Sequence, residues 1–295
     1  MAPPVAIITG ASSGIGLALT KHLTSQGWHV SIADIAPPKE DVPNTTYIRT
    51  DISSWDDQAR LFQQTYETHG RLDFVALNAG IDDRDDIFAS ISSDSTKPPR
   101  KPNLQIFDVN LHGTYYGIKL ASHYMSLDSR AAGKKKKGGK IAVTASAAGI
   151  YALPVVPQYT ATKYALVGLV RALGPVAEQV GIRINAVCPA LVATGLAPAG
   201  LMDNFTQEQI TPMSTIIRCF SELSNLEDVE RDGWVDEGRN GEIVEGNLGE
   251  LIWHKEPEIP KTNDYQGGDE GKKAWAEAYM QRNKNFALMD WEGKK

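Results

Sequence analysis

Tyr159 and Lys163 stand four residues apart, a spacing that puts both side chains on one face of a helix. A phenol and an ammonium so placed can work together. The positive charge favours the tyrosinate and lowers the phenol pKa, which makes Tyr159 a candidate general acid and base near neutral pH. Ser146 comes 13 residues earlier, just after an apolar run, and its hydroxyl can hydrogen-bond a substrate oxygen beside the phenol. A Tyr-x-x-x-Lys pair alone is common. Its weight comes from a second feature near the start of the chain.

That feature is Gly10-Ala11-Ser12-Ser13-Gly14-Ile15-Gly16. Glycine at 10 permits a tight turn, glycine at 14 lets the backbone approach a phosphate, and glycine at 16 lets a helix pack close to a strand. The helix that follows offers free N–H groups and a partial positive charge to a pyrophosphate. Asp34 follows 24 residues after Gly10. A carboxylate there accepts from a ribose 2′-hydroxyl and repels a 2′-phosphate. No Arg or Lys lies between Gly10 and Gly16, and Ile35 follows Asp34, so the expected cofactor is NAD rather than NADP.

These residues must be carried by regular elements. Val5–Thr9, His29–Ala33, Tyr47–Thr50, Phe74–Leu77, Ile141–Ala145, Ile182–Val187 and Glu242–Glu245 read as seven short buried strands. Helical patterns separate them: one from Ser13 to a stop at Gly27, one from Ser54 to Gly70, and longer ones over Leu104–Met125 and Gln158–Leu173. Gly174-Pro175 should kink or end the last of these. Alternating buried strands and amphipathic helices predict an α/β fold, a doubly wound parallel sheet of seven strands with helices on both faces. In such a sheet ligands bind beyond the carboxyl ends of the strands, where the glycine loop and Ser146 both fall.

The sequence resembles the short-chain dehydrogenase/reductases, a compact single-domain Rossmann family. The resemblance spans about Val5 to Glu245. It rests on Thr9-Gly10-x-x-x-Gly14-Ile15-Gly16, Asn78-Ala79-Gly80, Asn110 in Val109-Asn110-Leu111-His112-Gly113, Ser146, Tyr159-x-x-x-Lys163 and Pro189-Ala190-Leu191-Val192-Ala193-Thr194. It implies that Tyr159 exchanges the substrate's hydroxyl proton and that Lys163 binds the nicotinamide ribose. It further implies that Ser146 orients the substrate oxygen and that Asn110 holds a water of a proton relay. Ser12, Ser13 and Ile15 belong to the phosphate loop, Asp51 and Ile52 flank the adenine, and Asn78, Ala79 and Gly80 pack on the adenosine side. Pro189, Val192 and Thr194 would meet the nicotinamide end. Ala190 departs from the family's glycine, which would restrict that turn.

Within the family the chain is most similar to the NAD-dependent 15-hydroxyprostaglandin dehydrogenase type and related fungal alcohol dehydrogenases, on Asn240-Gly241-Glu242-Ile243-Val244-Glu245 and the following Trp253-His254. Val156 stands where the prostaglandin enzymes carry glutamine, so an apolar secondary alcohol or ketone, including a fungal secondary metabolite, is the broader expectation. NADP-dependent ketone reduction and a non-catalytic dinucleotide-binding regulator are the alternatives. Tyr151, Leu153 and Val156 are candidates for the pocket wall. Leu196, Leu201, Met202 and Phe205 in the segment 195–213 read equally as pocket wall or as the core face of a short helix. The resemblance also implies a homodimer or homotetramer formed through the helices over Leu104–Met125 and Gln158–Leu173.

Composition narrows the rest. The net charge of −6 gives no electrostatic reason to bind nucleic acid or an anionic membrane. No run approaches the ~20 apolar residues of a membrane span, and no signal-peptide pattern opens the chain, so a cytoplasmic protein is expected. Cys188 and Cys219 have no disulfide or zinc spacing. Residues 1–255 read as one catalytic domain. Ser92–Pro102 and Ala131–Lys140 read as surface insertions, the second with Lys134-Lys135-Lys136-Lys137 as a solvated run. Residues 256–295 read as a tail with one helix over Lys273–Leu288, anchored by Trp275, Tyr279 and Phe286. That tail could equally cover the pocket mouth or brace a neighbouring subunit.

Overall fold

Five consecutive residues alternate across the first strand: Ala6 and Ile8 face one apolar layer, Ile7 the other. Both layers are buried, which is why the strand is apolar throughout. The computed structural model describes residues 2–88, 96–197, 200, 202–229 and 234–258, and then 271, 274, 275, 277–279 and 281–283. It divides into two compact units, Met1–His254 and Lys255–Lys295.

In the first unit the elements run β1 (Val5–Thr9), α1 (Gly14–Ser25), β2 (His29–Asp34), β3 (Thr45–Arg49), α2 (Trp55–His69) and β4 (Phe74–Leu77). Then come the single turn α3 (Gln105–Phe107), a π-helical turn Asp108–Gly113, α4 (Thr114–Met125), β5 (Gly139–Thr144), α5 (Pro157–Ala177), β6 (Ile182–Pro189), α6 (Met213–Ser224), β7 (Ile243–Asn247) and β8 (Glu250–Trp253). The sheet order is β3-β2-β1-β4-β5-β6-β7-β8. Every pairing is parallel except β7 with β8. The α/β doubly wound class expected from the sequence is the one observed, with eight strands rather than seven.

One face of the sheet packs on Leu61 and Phe62 of α2, Ala121 and Met125 of α4, and Leu166, Val167 and Val170 of α5. The opposite face packs on Leu19 and Leu23 of α1 and Ile216, Phe220 and Leu223 of α6. Each such leucine, isoleucine, valine, phenylalanine or methionine side chain fully withdrawn from water contributes roughly 1.5–3 kcal/mol. Cys188 and Cys219 lie in opposite layers, both as buried free thiols. Helix α2 has the ends its sequence announced. The Ser54 hydroxyl accepts from the Asp57 amide at 3.2 Å, and Gly70 closes the helix at φ 68°. No helix among the described residues is long and apolar enough to cross a membrane.

Three sequence expectations are corrected. First, α5 does not stop at Gly174-Pro175 but continues to Ala177. Proline that near the end removes one donor from the ladder, and Gly174 is held from outside. Its carbonyl accepts from Asn240 Nδ2 at 2.7 Å, and a Cβ there would lie 2.6 Å from Gly241 Cα. Second, the lysine run is not wholly solvated. Lys134 is buried, donating to Leu72 O at 2.6 Å and to Gly138 O, 3.9 Å from the Asp73 carboxylate. Asp73 also takes two bonds from Arg71, at 2.8 and 3.0 Å, and one from the Val5 amide at 2.9 Å. This cluster ties together the amino ends of β1 and β4 and the segment leading into β5. Third, β8 was not foreseen. A two-residue turn, Leu248-Gly249, joins it to β7, with Leu248 in the left-handed region at φ 50°. The turn is fixed from outside by Thr211 Oγ1, which accepts from the Leu248 amide at 3.0 Å, and by Thr215 Oγ1, which donates to the Leu248 carbonyl at 2.6 Å.

In the second unit, residues 274, 275, 277–279 and 281–283 are helical, including Trp275 and Tyr279 of the expected tail helix. Phe286 and both ends of that helix, Lys273 and Leu288, lie outside the described residues.

Leucine in the left-handed region costs about 1–2 kcal/mol. Leu248→Gly should therefore raise stability by up to about 1 kcal/mol in urea unfolding, after the entropy that glycine loses is deducted. Lys134 gives a pH signature. Burial lowers its pKa from 10.5 to about 8. Between about pH 8 and 10.5 the unfolded chain keeps a proton that the folded chain has released, so stability rises with pH. Wild type should gain on Lys134→Met over that window by at most about 1.4 kcal/mol per pH unit. A flat difference would contradict this.

Candidate active site

The parallel sheet delivers the carboxyl ends of β1, β2, β4, β5 and β6 to one edge. The glycine loop leaves β1 with Gly10 at φ 64° and Gly14 at φ 52°, conformations that side chains disfavour. A Cβ on Gly16 would fall 2.3 Å from Gly10 O, so the start of α1 can lie against the loop only with glycine there. A Cβ on Gly14 would meet Thr194 at 3.4 Å, which places the segment after β6 directly over the loop. Ser13 is the N-cap of α1, yet its side chain does not cap it. The first-turn amides of α1 therefore have an anion site's chemistry.

Asp34 ends β2 and turns back to the same loop: its Oδ2 accepts from the Ser12 amide at 3.0 Å, while Ser12 Oγ donates to Ala36 O at 2.6 Å. Asp51 accepts from the Ser53 amide and hydroxyl at 2.9 and 2.7 Å, and Ile52 is buried beside it. Thr9 Oγ1 accepts from the amides of Asn78 and Ala79 at 2.9 and 3.0 Å, and Thr144 Oγ1 donates to Asn78 Oδ1 at 3.1 Å. The ends of β1, β4 and β5 are thus cross-linked by hydroxyls and one amide. A Cβ on Gly10 would come within 2.8 Å of Ala79 Cα, and Gly80 follows beside Asn110 and Lys163. Ile15 packs partly buried under the loop. These residues make a glycine-lined cradle with a carboxylate at its far end, which fits a dinucleotide.

At the other end of the edge lie Ser146, Tyr159 and Lys163. Ser146 is extended at the end of β5, its Oγ accepts from the Ala148 amide at 3.1 Å, and the Tyr159 phenol lies near enough to feel it. Lys163 is buried, and its ammonium donates to Thr144 O at 2.8 Å, 5.2 Å from the centre of the Tyr159 ring. Burial lowers Lys163 to about 8. Burial pushes the Tyr159 phenol up to about 12, opposed by the nearby Ser146 hydroxyl and reinforced by the Asp82 carboxylate. The direction is opposite to the one expected from the lysine spacing. In the chain alone the ammonium is committed to a carbonyl, and desolvation outweighs it. Cys188 is fully buried, and burial pushes its thiol up to about 12.

Asn110 occupies the π-helical turn and is buried. Its Oδ1 accepts from the Ile81 amide at 2.8 Å, and its Nδ2 donates to Ile81 O at 3.0 Å and to Thr162 Oγ1 at 3.3 Å. The side chain therefore clamps both main-chain groups of the residue after Gly80. Pro189 ends β6, and the Ala190 amide donates to Gly246 O at 3.0 Å. Ala190 is not among the described residues of positive φ, so the departure from glycine strains nothing. Val192 is buried in the α1–α6 layer. In the segment after it, Leu196 and Phe205 stay exposed, and among the described residues the local structure is two short 3-10 turns rather than a core-facing helix. Leu201 lies outside the described residues.

Two groups of residues near the site were missed from sequence. Asp83 receives the amides of Gln158, at 3.0 Å, and of Tyr159. The signal available was negative: α5 opens Val156-Pro157-Gln158, with no side chain able to cap it. Glu245, buried on β7, accepts from Tyr151 Oη at 3.0 Å and Asn247 Nδ2 at 2.9 Å, and lies 2.7 Å from His254 Nε2. This fastens the Tyr151 loop to the β7–β8 hairpin.

Known proteins bear on the same residues. The family model for short chain dehydrogenase matches residues 4–201. A short-chain dehydrogenase/reductase of Penicillium rubens, prx7, is 32% identical over 218 residues, covering 71% of this chain and 76% of its own. An NADP-dependent dehydrogenase of Cochliobolus lunatus, clz5, is 30% identical over 200 residues, covering 63% and 70%. A 3-ketoacyl-(acyl-carrier-protein) reductase from Brucella melitensis, solved with NADH, has the same fold with TM-score 0.66 at 20% identity, over 83% of this chain and 97% of that one. With the sheet order, the glycine loop and the match over residues 4–201 agreeing, the chain belongs to the short-chain dehydrogenase/reductase family, a family of oxidoreductases that use a nicotinamide dinucleotide.

Proposed function

We propose that this chain interconverts a secondary alcohol and a ketone with NAD as its cofactor. The observation that carries the reading is the meeting of Ser146, Tyr159 and the buried Lys163 at the same sheet edge as the glycine cradle. The nicotinamide, when bound, exchanges the hydride with the substrate carbon. The chain's own residues do the rest. Gly10, Ser12, Ser13, Gly14, Ile15 and Gly16 receive the pyrophosphate, with Asp51, Ile52, Asn78, Ala79 and Gly80 along the adenosine half. Pro189, Val192 and Thr194 border the nicotinamide half. Ser146 orients the substrate oxygen, and Tyr159 gives that oxygen a proton in reduction and takes it in oxidation. Lys163 holds the ribose and offers its positive charge to the phenolate, and Asn110 stands behind it in the relay.

Asp34 supports NAD. Its carboxylate sits at the mouth of β2, fixed by the Ser12 amide, where a 2′-phosphate would meet a negative charge. The exposed Leu153, Val155, Leu196 and Phe205 support an apolar substrate, and the fungal relatives support a secondary metabolite. Leu104, Tyr115 and Tyr164, exposed on the helical segments around α4 and α5, support pairing of two copies through those helices.

The test is a panel of apolar secondary alcohols and ketones assayed with both cofactors. NADH formation from at least one alcohol is expected, and Tyr159→Phe should abolish it while NAD still binds. Because burial keeps the phenol protonated near neutrality, ketone reduction should be flat through pH 6–8, whereas alcohol oxidation should rise with pH. Near-wild-type turnover in Tyr159→Phe would refute the mechanism. Asp34→Ala should raise kcat/KM with NADP by about tenfold or more relative to NAD. A wild-type preference for NADP would overturn the cofactor reading. Light scattering should give a dimer or tetramer, and a monomer would refute the pairing.

A further inference from the structure

We propose that Asp83 is a positioning residue for Tyr159, and that the two ends of the segment 84–103 are tied to the same helical turn through Gln158. The inference rests on Tyr159 being the acid and base.

It follows from an accounting of the amides that open α5. The Val156 amide donates to Leu153 O at 3.2 Å, and Pro157 has none to donate. The regular ladder begins only with Thr160, whose amide donates to Val156 O at 2.9 Å. Between them, the amides of Gln158 and Tyr159 would be left without partners, since Val156 has no acceptor in its side chain. Asp83 takes both, one on each carboxylate oxygen. An ordinary cap is made by a neighbouring residue. This one comes from 75 and 76 positions away, and one of the two amides belongs to the tyrosine itself.

Asp83 is also well held. Two residues before it, both main-chain groups of Ile81 are clamped by Asn110. Just after it the segment 84–103 begins, and both its ends meet the same helical turn. The Arg84 amide donates to Gln158 Oε1 at 3.4 Å, and Gln158 Nε2 donates to Asn103 O at 3.0 Å. Asp85 joins the two ends directly, accepting from the Asn103 amide at 2.8 Å and pairing with Arg100. Moving either end of that segment therefore strains bonds to Gln158, next to Tyr159. A phenol displaced by an ångström at a reacting oxygen costs far more rate than binding.

The experiment compares wild type, Asp83→Ala, Asp83→Asn and Tyr159→Phe as full chains, with NAD and the best alcohol of the panel above. In Asp83→Ala, kcat per folded site should fall about ten- to a hundredfold, with KM and NAD affinity within about threefold. Hydrogen exchange at the amides of Gln158 and Tyr159 should speed up at least about tenfold. Asp83→Asn keeps one amide oxygen as an acceptor and should fall between wild type and Asp83→Ala in both readouts. If Asp83→Ala does not fold, Asp83→Asn must still lose at least about threefold in kcat together with protection at one of the two amides. Unchanged kcat per folded site, or lost kcat with both amides still protected, overturns the proposal. If Tyr159→Phe is inactive and Asp83→Ala is not impaired, this inference alone fails. If Tyr159→Phe stays active, the proposed function fails and takes this inference with it.

Discussion

A parallel sheet cannot return its chain within the sheet. Every connection must cross a face, so every strand of β1 to β7 runs the same way and ends at the same edge. That constraint gathers Gly10, Asp34, Asn78, Ser146 and Pro189, residues spread over 180 positions, without any of them having to find another. The hydroxyls of Thr9 and Thr144 then knit the three central strand ends together. The opposite edge has a different task. There the Arg71–Asp73–Lys134 cluster pins strand starts, and no chemistry is asked of it.

The same constraint makes the edge costly to build. Lys163 is buried beside a carbonyl, Tyr159 is held as a neutral phenol, and Cys188 is kept as a thiol. Each of these groups is desolvated, and each is moved toward its neutral form. A site so prepared is poised for a bound cation or a departing proton to shift it, because little water competes for the charge. The polypeptide supplies the low dielectric and the geometry, and the remaining charge enters with whatever binds.

How legible this was depended on the kind of constraint. The glycine loop could be read because sterics leave almost no alternative at Gly10 and Gly16. Strands such as β1 and β4 could be read because burial on both faces forces apolar runs. The end of α5 was misread because Pro175 acts locally, whereas Asn240 and Gly241 hold Gly174 from far along the chain. Lys134 was misread because three neighbouring lysines hide the one that turns inward. β8 escaped because its turn uses leucine at a positive φ, where glycine or asparagine would have announced a hairpin. Asp83 and Glu245 escaped for a common reason: each acts through a partner that only the folded chain brings near.

The pairing of β6 with β7 has one more consequence, in time. β6 ends at Pro189, and β7 begins at Ile243, about 50 residues later. A ribosome adding roughly 5–20 residues per second needs several seconds to supply that stretch. Throughout, the eight-residue β6 stands as the open edge of a nearly finished sheet. The nascent chain is therefore most exposed to wrong association late, after its catalytic residues have all been made. The antiparallel β8, arriving last, ends that interval by leaving a four-residue edge in place of the longer one.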